Sequence, residues 1–127
     1  MKKAGTILIY NCTGPEFSKL RQIFAMLRLR MRVVEPERYH LTLEELAEGK
    51  GEDGQAQPRL EENMLVFCGL SDALLHQVLE VIRAAQVPPI PFKAVMTPTN
   101  REWNTMQLYA ELKEEREAIA NQSKAHE

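Results

Sequence analysis

Apolar and polar positions along this chain switch repeatedly between a strand period and a helix period. Residues 6–10, Thr-Ile-Leu-Ile-Tyr, are β-branched, aromatic and apolar in succession, as in a strand covered on both faces. Phe17, Leu20, Phe24, Leu27 and Met31 then recur at helical spacing, behind Thr13 and Glu16 in the T-x-x-E relation of a capping box. Residues 31–35 predict a second strand, stopped by Pro36, whose ring fixes φ and removes a donor.

Thr42 and Glu45 form another capping box, with Leu41 and Leu46 as a hydrophobic staple, which predicts a short helix to about Glu48. Residues 49–58 hold three of the six glycines and no large apolar side chain, so a flexible loop is expected over about 49–61. Residues 64–68, Met-Leu-Val-Phe-Cys, predict a third strand. Gly69, Ser71 and Asp72 supply a turn and an N-cap, and Leu75, Val78, Leu79, Ile82 and Ala85 follow at helical spacing. Pro88, Pro89 and Pro91 enforce an extended approach to a fourth strand over 92–96. Thr99 with Glu102 reads as a last capping box, for a helix from Asn100 or Thr105 to near Ala120 with a frayed tail over 121–127.

The two halves resemble each other. The strand starting at Ile7 aligns with the one starting at Met64 at an offset of 57, and Leu20, Ile23, Phe24 and Leu27 align with Leu75, Val78, Leu79 and Ile82 at an offset of 55. Two β-α-β units are implied, each with a right-handed crossover. A single α/β (α+β) domain over 1–127 follows: a four-stranded ferredoxin-like sheet plus a C-terminal helix, with a small doubly wound parallel sheet as the alternative. With both main helices on one face, the other face needs a cover. Leu108, Leu112 and Ile119 of the last helix offer one, interrupted by Glu115 and Arg116, which leaves room for a second chain and makes a homodimer one expected assembly.

The chain has 127 residues, 44% hydrophobic and 27% charged, ordinary for a globular domain. Its 16 Lys plus Arg against 18 Asp plus Glu give a net charge of −2, so no global attraction to nucleic acid or to an anionic membrane arises. No apolar run approaches the ~20 residues of a membrane span, and no leader pattern is read at the N-terminus. A cytoplasmic location is expected, with Cys12 and Cys68 as reduced thiols; neither has redox or zinc spacing. Neither cofactor nor metal is expected, because GxGxxG, the phosphate-loop pattern, HExxH and GxSxG are all missing.

The segments Val33-Val34-Glu35-Pro36-Glu37 and Ser71-Asp72-Ala73-Leu74-Leu75, and above all Lys93-Ala94-Val95-Met96-Thr97-Pro98-Thr99-Asn100 followed by Trp103, carry a resemblance. The chain resembles a small bacterial family catalogued only as a domain of unknown function. The resemblance covers nearly the whole chain and implies a cytoplasmic bacterial domain; it brings no activity and no catalytic residue.

The best candidate site is the turn Thr97, Pro98, Thr99 and Asn100 between the fourth strand and the last helix, where hydroxyls and free N–H groups could meet an anion; Lys93 is a candidate cation beside it. Asn11 and Thr13 after strand one, and Ser71 after strand three, form a second polar cluster if those strands are parallel neighbours. Cys12 or Cys68 would be the nucleophile of an enzyme, but none of the three histidines stands where a base is needed. Lys19, Arg21, Arg28, Arg30, Arg32 and Arg38 gather in the first helix and second strand, and seven acids from Glu44 to Glu62 follow. With Tyr10 and Phe67 at equivalent strand positions this is similar to an RNA-recognition sheet, yet the Gly-and-aromatic signature is missing and nucleic acid is disfavoured against a solvated or intramolecularly paired arginine face. The expectation is a non-catalytic binding or regulatory domain for a small anion or a partner protein; a cysteine enzyme and an RNA-binding module are the alternatives.

Overall fold

The computed structural model describes residues 5–125, with side chains as far as Ile119. Strands β1 (Gly5–Tyr10), β2 (Leu29–Val33), β3 (Met64–Cys68) and β4 (Phe92–Val95) alternate with helices α1 (Ser18–Met26), α2 (Leu43–Glu48), α3 (Asp72–Ala84) and α4 (Thr105–Ala125). The four strands form one sheet in the order β2-β1-β3-β4. β1 and β2 are parallel, as are β3 and β4, whereas β1 and β3 run antiparallel, with Leu8 opposite Val66.

Two β-α-β units are therefore present, but their order is not ferredoxin-like. In a ferredoxin-like sheet each unit is split by a strand of the other. Here the strands of each unit are direct neighbours, and the antiparallel seam also excludes the fully parallel alternative. The connection from β2 to β3 explains the difference. It is no hairpin: Val34, Tyr39, Leu41, Leu43, Leu46 and Leu60 within it are all buried, so it crosses one face of the sheet as a cover. Leu60, in the segment read as a loop, is 4% exposed; residues 49–59 are exposed, with backbone bonds from Gly54 to Glu37 O and from Gln57 to Pro36 O.

The sheet is buried on both sides. Ile7, Ile9, Leu65 and Phe67 pack with Leu20 and Phe24 of α1 and Val78 and Ile82 of α3. Leu8, Tyr10, Met64, Val66 and Cys68 face the opposite layer, made by α2, the β2–β3 connection and Leu108 and Tyr109 of α4. The repeat is real but its register differs from the sequence alignment. Ile7 with Leu65, Ile9 with Phe67, Leu20 with Val78 and Phe24 with Ile82 are each 58 positions apart and share one core. The offset of 57 puts Ile7 on Met64, which faces the other way; in a period-2 element a one-residue slip inverts every side chain.

Local chemistry sets the ends of the elements. Thr42 and Glu45 close the expected capping box, Ser71 accepts from Leu74 N, and Leu41 and Leu46 are buried together. The other two boxes do not form. Pro15–Phe17 make a 3-10 turn in front of α1, with no side-chain cap, and α4 is capped by Asn104 and Gln107 through reciprocal bonds of 2.9 Å. β2 starts two residues earlier than read, because Arg28 at φ 62° turns the chain straight out of α1 into the strand. The fraying expected over 121–127 falls partly outside the described residues; the helix itself runs through Ala125.

One buried polar contact joins the layers: Tyr10 Oη lies 2.8 Å from Thr105 Oγ1, with both residues fully buried. Removing either hydroxyl strands its partner away from water. Tyr10→Phe and Thr105→Val are each expected to lower unfolding free energy by about 1–3 kcal/mol, and the double variant by less than their sum. Urea denaturation of the four proteins measures this, and strict additivity would show the two hydroxyls to be uncoupled.

Candidate functional site

The antiparallel seam divides the candidate residues between opposite ends of the sheet. Asn11 and Thr13 follow β1 at one end, while Ser71, Thr97, Thr99 and Asn100 follow β3 and β4 at the other. The cluster conditional on parallel β1 and β3 is thus not assembled. Asn11 sits at φ 71°, and its amide nitrogen donates to Leu60 O at 2.8 Å and to Glu62 O at 3.3 Å, pinning the chain that leads into β3. Thr13 is exposed, and Ser71 caps α3.

The Thr97–Asn100 turn spends its polar groups on itself. Asn100 is 9% exposed; its Oδ1 accepts from Thr97 N at 2.8 Å, Thr97 Oγ1 accepts from Asn100 N at 3.1 Å, and Asn100 Nδ2 donates to Val95 O at 3.1 Å. The next residues fasten the covering layer, since the N–H groups of Leu43 and Glu44 in the first turn of α2 donate to Trp103 O and Arg101 O. Trp103 is half-buried against the same layer, and Thr99 is exposed. Asn100 is therefore not the first helical residue. Asn100→Ala, which would be silent at such a position, is expected to cost about 1–3 kcal/mol in urea denaturation, because Thr97 N and Val95 O lose their partner.

Asn100 and Lys93 also stand along the outer edge of β4. Met96 N donates to Phe67 O, so alternate residues Phe92, Ala94 and Met96 turn their backbone toward β3, and Lys93 and Val95 turn theirs outward. The outward carbonyl of Val95 is taken by Asn100, and the Lys93 ammonium folds back to Ile90 O at 2.8 Å. Beside it, the pocket between β4 and α4 is crossed by Arg116, which bonds Glu62 at 2.9 Å and lies over the Phe92 ring.

The opposite edge is built differently. Val34 N donates to Ile9 O, so Arg30 and Arg32 turn their backbone toward β1, while Leu29, Met31 and Val33 turn theirs away from the sheet. A groove of about 390 Å³ runs beside this strand, lined by Met31, Arg32, Val33, Val34, Arg38, Leu46 and Gly49. Val33 is 44% exposed. Arg32 Nε donates to Ala47 O at 3.1 Å, and Arg38 is held by Asp53 at 2.9 Å and Lys50 O at 2.8 Å. Among the described residues no ion pair engages Arg30 or Arg32. From sequence these arginines are expected to form a solvated or intramolecularly paired face, and Arg32 and Arg38 do bond within the chain. The signal that distinguishes them is Arg30 and Arg32 at strand spacing within residues 17–34, a stretch with five basic residues and no acid.

The two thiols are free and buried on opposite sides of the sheet. Burial pushes Cys12 up to about 11 and Cys68 up to about 12, the reverse of what a nucleophile needs. Burial likewise raises Tyr39, against its bond from Leu60 N. Unfolded thiols ionise near 9, so the stability these groups contribute is complete below that pH and is lost as pH climbs toward 11–12. The urea midpoint is expected to fall steadily between about pH 8 and about pH 11, with a shallower fall in Cys68→Ala; a flat profile would contradict the burial of the thiols.

Among the described residues no group of three or more His, Cys, Asp or Glu is placed to hold a metal ion, and no helix is long and apolar enough to cross a membrane. Residues 63–119, which span β3, α3, β4 and most of α4, match the family model described as a domain of unknown function, DUF3783. The resemblance to a family of unknown function is thereby borne out over that segment, which contains the Lys93–Trp103 block. Comparison with curated proteins and with solved structures finds no match.

Proposed function

We propose that this chain is a non-catalytic binding domain that takes a partner protein along the open edge of β2. The observation that carries this reading is the groove beside β2, where the outward backbone of Met31 and Val33 lines open space next to an exposed valine. Strand edges that offer unpaired N–H and C=O groups are templates for another chain, and β4, by contrast, has its last outward carbonyl taken by Asn100 and carries a lysine on its edge. Both sheet faces are occupied by the chain's own helices, which leaves this edge as the surface best suited to an incoming segment. Of the two ligand classes expected from sequence, a small anion has less support, because the Thr97–Asn100 hydroxyl and amide groups bond one another. A cytoplasmic setting suits the two free thiols, which a reducing compartment preserves.

The test is site-specific photo-cross-linking of the full chain in the cells that make it, with a benzophenone amino acid in place of Val33, Val95 or Met26. Val33 should yield discrete adducts of defined mass, while Val95 on the β4 edge and the exposed Met26 of α1 should not. Adducts at Val95 with none at Val33 would overturn the assignment.

A further inference from the structure

We infer that the occupant of the β2 edge is an acidic, extended segment of a partner protein, added to the sheet as a fifth strand with carboxylates at alternate positions. The inference rests on the reading of β2 as the docking edge and adds the chemistry of what docks there. The register of β2 sets the pattern. Arg30 and Arg32 stand beside Thr6 and Leu8, whereas Met31 stands beside Ile7. Leu8 faces the α2 and α4 layer and Ile7 faces α1, so the two arginines project on one side of the edge and Met31 on the other.

A strand laid against β2 places its own side chains on the same two sides, alternately. Those beside Arg30 and Arg32 meet guanidinium groups that no carboxylate of the described residues engages, and opposite charges directly across a ladder attract. Those between them meet Met31 and the buried Leu29, and must be apolar. The run that contains them is basic as well: residues 17–34 carry Lys19, Arg21, Arg28, Arg30 and Arg32 without one acid, in a chain whose net charge is −2.

A nucleic-acid strand fits this edge less well. Leu29, Met31 and Val33 offer both N–H donors and carbonyl acceptors, which a peptide backbone answers in kind and a phosphodiester, with acceptors alone, does not. The aromatics that would stack bases are unavailable as well: Tyr10 is 0% and Phe67 1% exposed, and they face opposite layers.

The probe is a fluorescein-labelled peptide of sequence Gly-Thr-Glu-Val-Glu-Val-Glu-Thr-Gly, titrated with the full chain and read by fluorescence anisotropy. Saturable binding is expected, weakened about tenfold or more by Arg30→Glu combined with Arg32→Glu and largely kept by Arg30→Lys. Circular dichroism confirms that the charge-reversed protein is folded, and a peptide N-methylated at alternate amides probes the ladder without touching the protein. That peptide should not bind. Wild-type protein that fails to bind the acidic peptide at about 1 mM overturns the inference. So does undiminished binding of the N-methylated peptide, which would mean ionic contact without strand addition. Tighter binding of single-stranded oligothymidylate, lost on the same arginine reversal, overturns it in favour of nucleic acid. Adducts at Val33 without peptide binding would leave the docking edge standing and remove the acidic occupant; loss of both would remove both.

Discussion

The antiparallel pairing of β1 with β3 is the constraint on which the remaining structure depends. Ile7 to Tyr10 and Met64 to Cys68 are all buried, so this seam lies in the middle of the molecule and each of its faces needs a layer of its own. Supplying two layers from one short chain dictates the connections. α1 and α3 cover one face as the crossovers of their units, and the other face is covered by what remains, the β2–β3 connection and α4. The Tyr10–Thr105 hydroxyl contact and the bonds from Leu43 and Glu44 to the segment before α4 then lock that second layer to the seam and to itself.

The same pairing separates the chemistry. Because β1 and β3 run in opposite directions, the polar turns that follow them cannot converge, and the residues most suggestive of a ligand site are divided and put to structural work. Asn11 ties down the approach to β3, Ser71 caps α3, and Asn100 holds the Thr97 turn together while masking the last carbonyl of β4. The two edges of the sheet are treated unequally: on one an amide takes the last outward carbonyl and a lysine stands beside it, and the other is bordered by a groove and by two arginines that no ion pair of the described residues engages.

Much of the fold was legible in the sequence because it is written locally. The apolar runs of β1 and β3, the capping box at Thr42 and the serine cap at Ser71 each act within a few residues, and each is found where it was read. Strand order is decided between distant segments and was not legible. No local pattern states that Tyr39, Leu41 and Leu60 travel beneath the sheet, and without that the β2–β3 connection reads as a short helix and a loop. The frame of the repeat failed for a related reason: in strands apolar on every residue, burial on both sides erases the alternation that would have distinguished an offset of 57 from one of 58. The candidate turn at Thr97 was correctly located as a polar turn, but polarity alone does not tell an occupied hydrogen bond from a free one.

The central position of β3 bears on where this domain can be divided. The segment matched by the family model, residues 63–119, holds the second β-α-β unit and most of α4 but not β1. Cut out by itself, it would turn β3 from an inner strand into an outer one. Met-Leu-Val-Phe-Cys would then present a row of unsatisfied backbone groups with no charge, no proline and no bulge to discourage like strands from stacking on it. In the whole chain the first unit therefore serves the second as a built-in guard against aggregation, and the smallest well-behaved unit of this fold extends beyond the family's matched boundary to include β1 and the strand it carries at its side.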